Sequence, residues 1–395
     1  MIILEGIFWI SLLLIVYTYL LFPALLSLLA RNKTLPGNSL PGEKLPRVSV
    51  LIAAYNEEEV LERKIRSVLE GEYPEDRLEI LVGSDASTDG TNLLLERLAG
   101  DHPRIRPYFF EKRTGKPGVI NRLVNDAAGE ILVITDANVL LDTDTLGAMM
   151  APFGEPEVGL VDSMMINTHL RKDGISRQER FYISREVQIK HNESLIWGAM
   201  MGPFGGCYAV RRSLFRPVPG HFLVDDFYIN MSVLRQGSKC ISNTGARVYE
   251  DVSNDLWEEF RRKKRISAGN FQNLKAFGSM LVKGPPGVPF CFFSHKVLRW
   301  LVPFLVIITL STSLWLGGEK GIYRVLAMLQ LAVLALPVID LFLRKIKIHA
   351  LPLRFISHFV WMNVALFAGF IRFLGGIKSN VWQPTRRNQH RAEHH

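Results

Sequence analysis

The chain has 395 residues, too many for one small domain, and a net charge of +9 from 47 basic and 38 acidic side chains. A basic balance suits phosphate-rich ligands or an anionic membrane surface. A nucleic-acid binder is disfavoured, because zinc-finger spacing, RNP-like motifs and basic–aromatic tracts are missing. The three cysteines, Cys207, Cys240 and Cys291, are scattered without a C-x-x-C pair, which excludes a disulfide framework and a cysteine zinc site.

The first element is Ile7 to Ala30, a charge-free apolar stretch of about 24 residues, long enough to cross a bilayer as a retained anchor. Arg31, Lys33, Lys44 and Arg47 follow it, which places the amino terminus outside and the large middle region in the cytoplasm. A Pro- and Gly-bearing linker then leads to VSVLIAAY (Val48 to Tyr55), an apolar run that reads as a strand covered on both faces. Leu61, Ile65 and Val68 set a helical stripe. LEILVG (Leu78 to Gly83) is a second strand, followed by the turn SDASTDGT and a helix through Leu98. PYFF, a helix from about Pro117 to Ala128 and the strand EILVITD continue the alternation, which predicts a mostly parallel α/β sheet. Ligands of such sheets sit at the carboxyl ends of the strands. Asn56, Asp85 and Asp136 each fall just past such an end.

Beyond about Gly278, GPPGVP breaks the pattern, and Phe290 to Trp300 mixes aromatics with bases as an interfacial segment would. Leu298 to Leu316, Tyr323 to Leu343 and Leu353 to Leu374 are three further candidate spans. The last contains His358 and Asn363, so a re-entrant or tilted interfacial helix is its alternative. A crossing there would send Lys378, Arg386 and Arg387 outside, against the positive-inside rule.

Several short motifs carry chemistry. Asp136 and Asn138, two apart at a strand end, offer hard oxygen donors suited to Mg2+ or Mn2+; the bland reading is a turn cap. Asp85 leaves its strand directly, whereas Asp89 and Thr91 read as helix caps. GKPGVIN lacks P-loop spacing, yet puts Lys116 near a helix amino terminus. Asp225 and Asp226 open another helix, as dipole compensation or as a general base. In FRRKKRISAGN, Arg262 and Arg265 share a helix face and suit a leaving diphosphate; attraction to an anionic leaflet is the plainer use. Gly205 and Gly206 in GPFGGCYAVRR allow close backbone approach, or merely form a turn before a strand.

In order, VSVLIAAYNEE, SDASTDGT, GKPGVIN, TDAN, VDD and RRKKR resemble the motif set of membrane-anchored family-2 glycosyltransferases of the GT-A fold, over about Pro46 to Gly278. The resemblance implies that Tyr55, Glu57, Asp85, Lys116 and Asn121 line the donor pocket, and that Asp136 and Asn138 match the D-x-D position holding Mg2+ or Mn2+ and diphosphate. It implies Asp226, beside Asp225, as catalytic base, Arg262 and Arg265 as the basic part of a Q-x-x-R-W motif, and Gly205 and Gly206 as the acceptor region. Two departures stand out: Asn138 replaces the second Asp, and Ile266 stands where the tryptophan of polymer-making members lies.

The expected organisation is an anchor over residues 1–34, a linker over 35–46 and a GT-A domain over 47–278. An interfacial segment over 279–297, membrane-embedded helices over 298–376 and a basic tail over 377–395 complete it. The expected activity is single, inverting transfer from a nucleotide sugar, with UDP the expected nucleotide, to a lipid or lipid-linked acceptor at the cytoplasmic face of the inner membrane. A processive polysaccharide synthase and a non-catalytic sugar-nucleotide-binding partner are the alternatives.

Overall fold

The computed structural model describes residues 1–35, 45–168, 176–251, 255–345 and 350–380. Most of the expected linker and basic tail lie outside the described residues. In chain order the elements are α1 (Ile2–Ala30), β1 (Val48–Ala54), α2 (Leu61–Leu69), β2 (Leu78–Asp85), α3 (Thr91–Asp101) and β3 (Ile105–Phe110). Next come α4 (Gly115–Asp126), β4 (Ile131–Asp136), β5 (Leu140–Leu141), α5 (Thr145–Met150), β6 (Val158–Thr168), α6 (Ser176–Trp197) and β7 (Cys207–Arg211). The chain continues with α7 (Asp225–Arg235), β8 (Lys239–Asp251), α8 (Leu256–Phe277), α9 (Val288–Leu316), α10 (Gly321–Lys345) and α11 (Leu351–Leu374).

One eight-stranded sheet runs β3-β2-β1-β4-β7-β6-β8-β5. Its first four strands are parallel, and the crossing from β4 to β7 is antiparallel. All seven residues of β1 are buried, as the unbroken apolar run predicts for a central strand. Side chains alternate across the pleat: Leu51 and Ala53 join a core with α4 and α7, whereas Val50 and Ile52 join one with α2 and α3. Each core is thus one layer of a helix–sheet–helix sandwich.

Four helices, α1, α9, α10 and α11, are long and apolar enough to cross a membrane. Residues 288–297 of the segment expected at the interface form the opening turns of α9, with His295 fully buried. Phe8 of α1 packs on Leu316 and Tyr323 at the far ends of α9 and α10. Helix α11 is different, because it touches the soluble layer along its length. Phe355 meets Phe181 of α6, Trp361 meets Trp257 and Phe260 of α8, and Phe370 meets Phe271. Beyond it, the Asn380 side-chain amide donates to Phe222 O at 2.8 Å.

Candidate active site

A cavity of about 1150 Å³ opens at the carboxyl ends of β1 and β4 and continues between the membrane helices. Glu57, Lys116, Asp136, Asn138, Gly205, Gly206, Asp225, Asp226, Arg262 and Arg265 all line it. These residues come from six separate parts of the chain, brought together by the sheet order and by the packing of α7 and α8.

Asp136 ends β4 because its backbone N–H donates to Gly206 O at 2.9 Å while Val139 N–H turns back onto Asp136 O. Its carboxylate is a third exposed and accepts from Lys116 Nζ at 2.6 Å; the same ammonium donates to Gly205 O at 3.2 Å. Burial opposes the charge on Lys116, but the carboxylates of Asp136 and Asp225 outweigh it and raise its pKa. Asn138 is buried, with its amide nitrogen donating to Glu250 Oε1 at 3.2 Å.

Asp226 sits in the first turn of α7, where Phe227 N–H donates to its Oδ1 at 2.7 Å. Burial, and then the neighbouring Asp225 carboxylate, push its pKa up to about 7. Asp225 Oδ2 is buried without a hydrogen-bond partner. Gly205, at φ +81°, lies directly against Asp226 Oδ2, and a methyl group there would overlap that oxygen. The missing side chain at 205 thus makes room for the Asp226 carboxylate.

The two arginines of the basic run differ. Arg262 is forked onto Glu259 at 2.8 and 3.0 Å. Arg265 donates to Leu223 O at 2.9 Å, and burial lowers its pKa against the pull of Asp225.

Three expected donor residues do not line the cavity. The Asp85 carboxylate is fully buried and clamps the start of α4, accepting from Thr114 N, Thr114 Oγ1, Gly115 N and Arg113 Nε at 2.6–3.0 Å. Tyr55 stacks under the Arg113 guanidinium, whose carbon lies 3.2 Å from the ring centroid. Asn121 departs furthest from expectation. Both ends of its amide bond the Val218 backbone, at 2.8 and 3.0 Å, so it pins the loop ahead of α7. Asn56 is likewise a latch between the β1 and β2 loops: its Oδ1 accepts from Thr88 N–H, and its φ of +53° is the strained backbone found at such sites.

Other contributors escaped the sequence reading. Lys64 is fully buried and donates to Thr135 Oγ1 and Val139 O at 2.8 and 2.5 Å, bracing the Asp-Ala-Asn turn from below. Burial lowers its pKa to about 8. The available signal was a lysine on the apolar stripe of α2, between Leu61 and Val68. A buried pair, Lys190 and Asp162, holds Phe204 from beneath, the ammonium lying 3.6 Å from the ring centroid. Arg113 and Glu250 carried no local signal.

Among the described residues no three acidic, histidine or cysteine side chains gather at one point. The oxygen donors at the turn are Asp136, Asn138 and Glu250, all on the cavity wall. Few protein oxygens, with room for phosphate and water, is the shell Mg2+ or Mn2+ takes in nucleotide sites, so these residues fit such an ion.

Residues 49–218 match Glycosyl transferase family 2. A beta-monoglucosyldiacylglycerol synthase from Synechocystis is 22% identical over 283 residues, covering 68% of this chain and 58% of the relative. A synthase of the same name from Nostoc is 26% identical over 156 residues, 39% of this chain and 33% of the relative. The chain thus spans between a third and three-fifths of the length of these glycolipid synthases. A GalNAc(5)-diNAcBac-PP-undecaprenol beta-1,3-glucosyltransferase from Campylobacter jejuni is 22% identical over 299 residues, covering 68% of this chain and 94% of the relative. In structure, the mannosyltransferase PcManGT from Pyrobaculum calidifontis, solved with GDP-Man and Mn2+, superposes with a TM-score of 0.71 at 23% identity, over 94% of this chain and 99% of its own. The chain therefore carries a family-2 glycosyltransferase domain on a GT-A-like fold, joined to helices long and apolar enough to span a membrane.

Proposed function

We propose that this membrane protein transfers one sugar, with inversion, from a nucleotide-sugar donor to a hydroxyl of a lipid or lipid-linked acceptor at the cytoplasmic face of the membrane. One observation carries the reading. The cavity that holds Asp136 and Asp226 is continuous with a wall made by Thr18 and Tyr19 of α1, Trp300 of α9 and Phe359, Met362 and Leu366 of α11. A water-soluble acceptor needs no annex reaching between these helices; a lipid-borne hydroxyl reaches Asp226 by entering from the bilayer side. The names of the diacylglycerol and undecaprenol relatives agree with this acceptor class. The nucleotide stays at the level of class, since the structural relative was solved with GDP-Man.

In this mechanism Asp226 accepts the proton of the acceptor hydroxyl as its oxygen attacks the anomeric carbon. A carboxylate with its pKa near 7 is matched to that task at neutral pH. Bond formation on one face and departure of the nucleoside diphosphate from the other invert the centre. Lys116 and Arg265 face the departing diphosphate with positive charge in a site screened from water. Mg2+ or Mn2+ held at Asp136, with Asn138 beside it, would supply further charge neutralisation when bound. Gly205, lacking a Cβ, leaves room for the Asp226 carboxylate itself.

For α11 the contacts favour the interfacial alternative. Both of its ends meet the soluble layer, and residue 380 returns to the loop ahead of α7. That placement keeps the start of the basic tail on the side of the catalytic domain, in accord with the positive-inside rule.

The test is nucleotide release from a panel of nucleotide sugars with membrane lipid extract, with and without Mn2+ or Mg2+. Metal-dependent release from one donor, with label entering the lipid phase and lost in Asp226→Asn, is the expected result. Release into water-soluble product alone would overturn the acceptor assignment. Nucleotide binding without transfer to any acceptor would overturn the enzyme reading.

A further inference from the structure

We infer that the membrane-side end of the cavity holds the phosphate of a phosphate-bearing lipid acceptor, at Arg299, Lys263 and Asn363. This deepens the lipid-acceptor reading and rests on it. Arg299 belongs to α9 and Asn363 to α11, two of the helices long and apolar enough to cross a membrane. Ionisable groups in such helices are rare and mark ligand or ion paths. One ring collects the group. Tyr182 of α6 has the Lys263 ammonium 4.4 Å from its centroid and the Arg299 guanidinium carbon 5.9 Å from it. The Tyr19 hydroxyl of α1 is next to the Asn363 side chain and within electrostatic reach of Arg299 and Tyr182. All five residues line the cavity.

Two polar atoms there are unmatched. Arg299 Nε is buried without a hydrogen-bond partner, although a terminal nitrogen of the same guanidinium donates to Glu186. Asn363 is 8% exposed; its amide nitrogen donates to Phe359 O at 2.8 Å, and its Oδ1 has no partner. Leaving a buried donor or acceptor unmet is costly, which calls for a ligand atom at each. Glu186 is already spread over three bases, His295, Lys296 and Arg299. A phosphate answers this set. Its oxygens accept from the Arg299 Nε–H and attract the Lys263 ammonium, and the planar guanidinium suits phosphate oxygens. A hydroxyl of the same headgroup supplies the donor that Asn363 Oδ1 lacks. A neutral headgroup gains nothing from the two cations. The attacked hydroxyl then lies further along the headgroup, toward Asp226 in the same cavity.

The experiment compares dodecyl phosphate with dodecanol as ligands of the full chain in phosphatidylcholine nanodiscs, with saturating GDP or UDP and Mn2+ present. Dissociation constants come from the change in tryptophan fluorescence, since Trp300 lines the cavity. The phosphate should bind at least about tenfold tighter than the alcohol, the worth of one charge-assisted hydrogen bond. Arg299→Lys keeps the charge opposite Glu186 but removes the Nε–H. It should weaken dodecyl phosphate by roughly tenfold and leave nucleotide affinity unchanged. Lys263→Met, which covers the case of a poorly folding Arg299 variant, should weaken it in the same direction. Wild-type affinity in both variants would overturn the assignment. Inorganic phosphate binding as tightly as dodecyl phosphate would overturn the lipid source. Loss of dodecyl phosphate binding as nucleotide is added would put the phosphate in the donor site and overturn the assignment equally. Equal affinity for phosphate and alcohol would leave a neutral lipid acceptor, with water meeting Arg299 Nε, so only the phosphate assignment falls. If neither ligand binds and no label enters lipid in the transfer assay, the lipid-acceptor reading falls with it.

Discussion

The two halves of the sheet are built on different principles. From β3 to β4 the strands are parallel, with β1, β2 and β3 each followed by a helix, and Asp85 and Asp136 sit at their strand ends, with Glu57 three residues past β1. From β7 to β5 the order is mixed, and site residues come from loops and helix starts: Gly205 before β7, Asp226 on α7 and Arg265 on α8. The first half places its groups by backbone geometry. The second places them by side-chain ties, such as Met201 N–H on Glu193 Oε2 and Gly202 N–H on Asn230 Oδ1. This half of the cavity is thus held by a set of props, any of which a substitution can remove.

The largest expected effect falls in the second half. Asp226→Asn should lower turnover by about 10²–10⁴, the usual worth of a general base, with nucleotide affinity nearly unchanged by calorimetry. Next is Gly205→Ala. It demands a left-handed backbone from a residue with a Cβ and places that atom on Asp226 Oδ2. Steady-state kinetics should show a drop of at least about a hundredfold, the scale of a misplaced reacting group.

The pH dependence comes third. The folded pKa of Asp226 is raised, so the base is protonated below about 7 and ionised above it. The kcat/KM value should therefore rise about tenfold per unit up to pH 7 and flatten beyond, and that limb should vanish from the residual activity of Asp226→Asn. A flat profile between pH 5 and 8 would contradict the assignment of base.

The smaller effects test the first half. Lys64→Met removes the brace under the Asp-Ala-Asn turn and leaves Val139 O buried without it, costing about 1–3 kcal/mol in denaturation experiments. Mn2+ affinity should fall with it, by roughly tenfold. Asn121→Ala should cost only about 1–3 kcal/mol of stability through its two lost bonds, with the KM for donor unchanged. A raised KM would return Asn121 to the donor site.

Much of the first half was legible in the chain. The unbroken apolar runs of β1, β2 and β4 announce buried parallel strands, and an acid at such a run's end announces a ligand rim. Asp85 shows the limit: its position was readable, whereas its use as a clamp on residues 113–115 was not. Asn121 reads as a donor residue by motif, yet it spends its amide on Val218, because a loop 97 residues away happens to lie beside it.

The sequence by itself determined the alternation of elements, the four apolar helices, the strand-end carboxylates and the acidic start of α7, because each is encoded in local periodicity and capping. Only the tertiary structure decided which of these groups share a cavity. It put Lys116 between Asp136 and Gly205, buried Lys64 under the Asp-Ala-Asn turn, laid α11 against the soluble layer and brought Glu250 to Asn138. Those contacts depend on strand order and register, which arise from packing between segments far apart in the chain and leave no periodic mark within either one.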